Sequence, residues 1–110
     1  MTTLIEKKCQ ACEGGISALD RAQAEALIKD VAGWHLSKDN KYIAKDFSFK
    51  GFYAVMGFVN AVAFIVQREG HHPDISLGYN YCTIKFTTHA IDGLTENDFI
   101  CAAKINALMA

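Results

Sequence analysis

Lys50 to Gly70 reads KGFYAVMGFVNAVAFIVQREG, a run bounded by glycines at 51 and 70 in which Asn60 is the single polar residue before Gln67. It is too long for one strand and is bounded by glycines at both ends, so it is read as a long helix. Phe52, Tyr53, Val55, Met56, Phe58, Val59, Val62, Phe64, Ile65 and Val66 wrap well beyond one helical stripe, more than a single sheet can cover. A second copy of the chain is the natural cover, and a homo-oligomer, dimer or tetramer, is predicted. A bilayer span needs about 20 unbroken apolar residues, and this run is too short and too interrupted for one. No membrane association is expected.

Working back from the helix, Trp34–Phe49, WHLSKDNKYIAKDFSF, has alternating apolar positions on both sides of Asp39-Asn40-Lys41 and is read as a hairpin. Before it, Ser17–Gly33, SALDRAQAEALIKDVAG, places Ala18, Ala22, Leu27 and Val31 at near-helical spacing, with an Asp or Ser to cap the start and Gly33 to end it. Forward of the helix, DISLGYN and CTIKFTTH put Ile75, Leu77 and Tyr79, then Cys82, Ile84 and Phe86, at alternate positions of two strands. Thr95 then caps a last helix, with Asp98 placed to complete a capping box and Phe99, Ile100, Ala103, Ile105 and Leu108 as its apolar residues. The order α-β-β-α-β-β-α predicts an α+β fold, a four-stranded antiparallel sheet with helices packed on one face. Residues 1–110 are read as a single domain, with residues 1–16 as an N-terminal arm.

At 110 residues, 51% hydrophobic and 21% charged, the chain can fill a core without staples. A formal net charge of −1 excludes the basic excess that a phosphate backbone attracts, so no direct nucleic-acid partner is expected. The first fifteen residues carry no apolar signal core, and the cytoplasm is the expected compartment. The four cysteines, Cys9, Cys12, Cys82 and Cys101, are too sparse for a disulfide framework and are expected as thiols. Cys9 and Cys12 form a C-x-x-C, half a zinc site or a redox pair in principle. With no second pair to complete four ligands, an N-terminal segment that happens to carry two thiols is the favoured reading.

The candidate chemistry sits just past the long helix, at Glu69–Asp74, EGHHPD. Histidine's unperturbed pKa of roughly 6.5 lets it give or take a proton near neutrality. Gly70 can cap the helix and Pro73 can open the next strand, which fixes the backbone at His71 and His72. If the following strands pair through a turn at residues 78–81, His89 returns beside them. Strict alternation would set His89 with Lys85 and Thr87, opposite Ile84 and Phe86. Three accounts fit: a polar exit from a helix, a zinc site with Asp98 or Asp74 as fourth ligand, and a metal-free acid–base set.

The spaced pattern of Gln67, His71-His72-Pro73, Tyr79, His89 and Asp98 resembles the signature of the pterin-4a-carbinolamine dehydratases. The CEGG arm, the helix ending in Gly33-Trp34, Phe47-x-Phe49 and the close THAIDGLTENDF extend the resemblance over nearly the whole chain. It implies a hydro-lyase (lyase) acting on a pterin substrate, 4a-hydroxytetrahydropterin. The products are quinonoid dihydropterin and water, in support of tetrahydropterin (tetrahydrobiopterin) recycling for aromatic amino-acid hydroxylation. It implies His71, His72 and His89 as the catalytic set, with His71 and His89 at the 4a-hydroxyl and His72 on the N5 side. Asp98 is expected as a helix cap that also orients His89. Trp34 is either an aromatic wall for the pterin or, the favoured account, a core residue. Gln67 stands where the family pattern usually carries a charged group, and an amide can orient a ring without bringing charge. No metal and no cofactor are implied, and an aromatic amino-acid hydroxylase is the implied source of substrate. The family also implies an alternative, a protein-interaction module of the dimerisation-cofactor kind built on the apolar helix.

Overall fold

The computed structural model describes residues 3–10 and 16–109. Cys12 and the CEGG segment lie outside the described residues. Three helices, α1 (Arg21–Ile28), α2 (Phe52–Glu69) and α3 (Glu96–Ala107), accompany strands β1 (His35–Leu36), β2 (Ile43–Ser48), β3 (Asp74–Leu77) and β4 (Tyr81–Phe86). The element order is the one expected. The strands form a single antiparallel sheet in the order β1-β2-β4-β3.

Register divides the sheet into two unlike faces. Ile43 opposes Phe86 and Phe47 opposes Cys82, while Ile75 opposes Ile84, so these side chains share one face with period two. Cys82, Ile84 and Phe86 on the inner strand β4 are fully buried there. Fully burying each large apolar side chain contributes about 1.5–3 kcal/mol. The opposite face carries Asp46, Thr83, Lys85 and Ser76, with Thr83 donating to Asp46 at 2.6 Å. Helices cover the apolar side only. β3, at the edge, buries little: Leu77 is exposed, and Tyr79 falls in the turn rather than on the strand.

α2 begins after Gly51 and ends at Gly70, whose φ of 68° is left-handed and whose N–H returns to the Val66 carbonyl at 2.9 Å. Its buried residues, Val55, Phe58, Val62 and Val66, fall at spacings of 3 and 4 and form one stripe against the core. Tyr53 at 94% and Phe64 at 64% exposure lie outside that stripe. The chain therefore leaves part of α2's apolar surface uncovered.

α1 is shorter than the expected span from Ser17 to Gly33. Asp20 caps it by accepting from Gln23 N–H at 2.8 Å, which places Ala18 before its start. After Ile28 the chain continues in turns, with Val31 N–H donating to Ile28 O and Trp34 N–H to Val31 O, and Gly33 adopts φ 83°. Val31 and Trp34 reach the core from these turns, so near-helical spacing arose without a continuous helix. Lys45 extends to the same corner. Its ammonium donates to Ala32 O and Asn106 Oδ1 at 3.0 and 2.9 Å, and burial pushes its pKa down.

α3 starts with the expected capping box between Thr95 and Asp98. Asn97, Asp98, Phe99, Ile100, Cys101, Ala102 and Ile105 are buried, whereas Leu108 lies past the helix end and is exposed. The first turn of α3 thus takes two polar side chains, Asn97 and Asp98, into the interior. Both serve the site described next.

Candidate active site

The β3–β4 hairpin turns through a Gly78 N–H bond to Tyr81 O at 3.0 Å, and its register pairs Asp74 with Lys85. That pairing brings residues 71–73, before β3, beside residues 87–89, after β4. His71, His72 and His89 line one cleft of about 310 Å³ together with Gln10, Gly70, Thr87, Thr88, Ala90 and Asn97. The three histidines named from sequence are therefore brought together. They are held in very different ways.

His71 is fastened. Its Nε2 lies 2.5 Å from Asp98 Oδ1, and Asp98 is fully buried. Asp98 Oδ2 accepts from Thr95 N–H at 3.0 Å and from the Thr88 hydroxyl at 2.8 Å. Thr88 has one hydroxyl hydrogen and spends it on Asp98, so the 2.9 Å contact between the two threonine hydroxyls has Thr95 as donor. A carboxylate only accepts, so Nε2 of His71 carries the hydrogen and Nδ1 is its other nitrogen. The ring also lies parallel to Phe86, centroids 5.8 Å apart at 9°, on the floor formed by the end of β4.

Asp98 is thus both cap and ring anchor, but the ring it anchors is His71 and not the expected His89. The cause is topological. The first turn of α3 runs beneath the Gly70 corner, where His71 points inward, while His89 opens a short 3-10 turn at His89–Ile91 on the surface. β4 stops at Phe86, so strand alternation does not extend to His89. A bridge between Thr88 and Gly93, with Thr88 N–H donating to Gly93 O at 2.8 Å, closes that loop. His72 is exposed, and its Nε2 meets Gln67 Oε1 at 3.3 Å. Gln67 orients a ring as expected of an amide.

Trp34 does not line the cleft. It is buried at 4% exposure, donates its indole N–H to Asn106 Oδ1 at 3.0 Å, and packs on Phe86 from 5.8 Å. Phe86 therefore stands between Trp34 and His71, and the aromatic-wall reading gives way to the core one. Among the described residues no group of three His, Cys, Asp or Glu side chains is arranged as metal ligands would be.

Gln10 and Asn97 went unread as site residues. Asn97 grips the backbone of Gln10, accepting from its N–H at 3.0 Å and donating to its carbonyl at 2.6 Å. Cys9 N–H donates to Glu69 Oε1 at 2.9 Å, and Lys104 lies 3.3 Å from the other oxygen of that carboxylate. Burial alone would push the Glu69 pKa up, but the Cys9 N–H and the Lys104 ammonium outweigh it and hold the carboxyl below its ordinary value. The arm thereby becomes a wall of the cleft. The sequence carried only one cue, that Asn97 belongs to the first turn of a capped helix, and nothing linked it to position 10.

A sheet lined on one side by helices, with a histidine-lined cleft where the long helix meets the hairpin, defines a small α+β protein. The family model described as "Pterin 4 alpha carbinolamine dehydratase" matches residues 17–108, and the chain belongs to that family, whose reaction is that of a hydro-lyase. A Nitrosomonas eutropha protein named "Putative pterin-4-alpha-carbinolamine dehydratase" is 52% identical over 107 residues, 96% of this chain and 93% of its own length. A Legionella pneumophila protein of the same name is 50% identical over 107 residues, 96% and 95% of the two chains. Among solved structures, the "transcriptional coactivator/pterin dehydratase from Brucella Melitensis" aligns with a TM-score of 0.80 at 28% identity, covering 86% of this chain and 100% of that one. A pterin dehydratase-like protein described as a RuBisCO assembly factor in the alpha-carboxysome aligns at 0.60 and 26% identity, over 69% and 88%.

Proposed function

We propose that the chain dehydrates 4a-hydroxytetrahydropterin to quinonoid dihydropterin by general acid and base catalysis at His71, His72 and His89. The observation that carries the reading is the convergence of three imidazoles on one cleft of about 310 Å³. That volume lies at the lower end of the range for small-molecule sites, roughly 300–1,000 Å³. The reaction breaks the C4a–O bond. A proton must reach the departing hydroxyl, which leaves as water, and the N5 proton must be taken up.

In this reading His71 and His89 serve the hydroxyl and His72 serves N5. Asp98 fixes the tautomer of His71, leaving Nδ1 for proton exchange, and it balances the charge when the ring is protonated, as a buried aspartate does for a catalytic histidine elsewhere. Gln67 holds the His72 ring, and its lack of charge leaves proton transfer there to the imidazole itself. Each well-placed acid or base contributes about 10²–10⁴ in rate. Loss of water involves no net oxidation or reduction, so the chemistry asks nothing of a redox cofactor.

The same reading places residues 1–110 as one cytoplasmic domain that recycles tetrahydropterin downstream of an aromatic amino-acid hydroxylase. A homo-oligomer, dimer or tetramer, would cover Tyr53 and Phe64 on α2. A second reading, a protein-interaction module, draws on that exposed surface and on the coactivator and assembly-factor names of the two structural neighbours. A direct dehydration assay on purified protein, with His71→Ala and His72→Ala beside it, tests the proposal. At least ~10²-fold loss is expected in each folded variant, and wild-type turnover in both would rule the site out.

A further inference from the structure

The arm that walls the cleft carries a thiol, and that thiol is already in contact with another. Cys9 Sγ lies 3.6 Å from Cys101 Sγ, across 92 positions of sequence. Cys9 is half-buried, and Cys101 is fully buried on α3. Each sulfur also touches a backbone oxygen of the site's frame, Cys9 that of Asn97 at 3.6 Å and Cys101 that of His71 at 4.0 Å. In the sequence Cys9 shares a C-x-x-C with Cys12, which lies outside the described residues and was read as an incidental second thiol. Among the described residues the fold presents Cys101 to Cys9.

We propose that Cys9 and Cys101 are a redox modification site, oxidised by a hydroperoxide to a disulfide that latches the N-terminal arm to α3 behind His71. A disulfide needs sulfurs at about 2.05 Å, so closure asks for an approach of ~1.5 Å. The arm can supply that movement because residues 7–10 belong to no helix or strand and are held by side chains: Lys7 on Glu96, Cys9 N–H on Glu69, Gln10 on Asn97.

The order of events follows from burial. Cys101 is held as a thiol: its hydrogen bond with Cys9, its burial, and the nearby negative charge of Cys9, Glu69 and Asp98 all push its pKa far up. The more accessible Cys9 therefore reacts first. Its thiolate attacks one peroxide oxygen, the O–O bond breaks, and the departing hydroxide takes a proton to become water, leaving a sulfenic acid on Cys9. The Cys101 sulfur then attacks the Cys9 sulfur, the S–O bond breaks, and hydroxide leaves with the Cys101 proton as a second water. Two thiols and one hydrogen peroxide give one disulfide and two waters, with two electrons passing from sulfur to oxygen. A dithiol reverses the bond by exchange.

The test uses the full chain and hydrogen peroxide, followed by denaturing alkylation and peptide mass spectrometry. A Cys9–Cys101 cross-linked peptide is expected, reversed by dithiothreitol, retained in Cys12→Ser and lost in Cys9→Ser. Oxidation should also raise the melting temperature by at least ~5 °C, since the bond closes most of the chain into one loop, and Cys9→Ser should show no such rise. A Cys9–Cys12 bridge, a Cys9 sulfinic acid with Cys101 still open to alkylation, or a cross-link without a thermal shift would overturn the latch. Because Cys9 is the half-exposed partner, its serine variant tests the proposal even if Cys101→Ser does not fold. Neither readout depends on pterin turnover, so failure of the latch and failure of the catalytic reading are separable.

Discussion

The inner and outer walls of the cleft are built on opposite plans. On the inner wall His71 is tied through Asp98 to Thr88, Thr95 and the first turn of α3, every member but the ring itself buried. On the outer wall His72 has one amide contact at 3.3 Å and His89 stands exposed on a 3-10 turn. The contrast separates two demands on one site. A group that must hold a fixed tautomer is placed where neighbours dictate it, and groups that meet solvent and incoming ligand are left room to adjust. Stability and activity should therefore respond differently to changes on the two walls.

The largest effect is expected at Asp98. Asp98→Ala removes the partners of His71, Thr88 and the Thr95 N–H at once and leaves buried donors unmet, costing about 3 kcal/mol in urea denaturation. Dehydration should fall by ~10³ in the same variant. An equal loss of stability in His89→Ala would erase the contrast. On the outer wall, His89→Ala and His72→Ala should each lose ~10² in kcat while stability stays within about 0.5 kcal/mol.

Smaller effects belong to the arm. Gln10→Ala keeps the backbone clasp by Asn97 and removes a cleft-lining residue's side chain, whose Nε2 donates to Lys8 O at 3.3 Å, so KM should rise roughly 3- to 10-fold with kcat little changed, the sign of lost uniform binding. The smallest concerns acid. Glu69 has a folded pKa below its ordinary value of 4.5, so its stabilisation is complete above that value and is lost as pH falls through the folded one. The protection factor of the Cys9 amide against hydrogen exchange should fall on acidification below pH 4.5, and Glu69→Gln should remove that acid limb.

Legibility in the sequence followed the range of the interactions concerned. α2 could be read residue by residue because both ends are glycine-marked and its pattern is local, and the Thr95–Asp98 box is a three-residue matter. α1 was read too long because Val31 is buried from a turn at near-helical spacing to Leu27. Tyr79 was assigned to a strand that ends at Leu77, since an edge strand buries too little for alternation to carry weight. The three histidines were found by spacing and resemblance, and the hairpin register explains their meeting. The pairing of Asp98 with His71, the clasp of Asn97 on Gln10 and the meeting of Cys9 with Cys101 all join residues 27 to 92 positions apart. No local pattern encodes such contacts, which exist only after the helices pack.

Gly70 ends α2 so abruptly that the histidine pair hangs directly from the last turn of an 18-residue helix. Each residue of an α-helix adds about 100° of rotation and 1.5 Å of rise. Deleting or inserting one codon within α2 would swing His71 a quarter-circle or more away from Asp98, whereas the same change at the tip of the Ser37–Tyr42 loop reaches the cleft only through the Thr87 hydroxyl's bond to Lys41 O. Length variation among functional relatives should therefore gather in that loop and spare α2, making helix length itself a constraint on the chemistry.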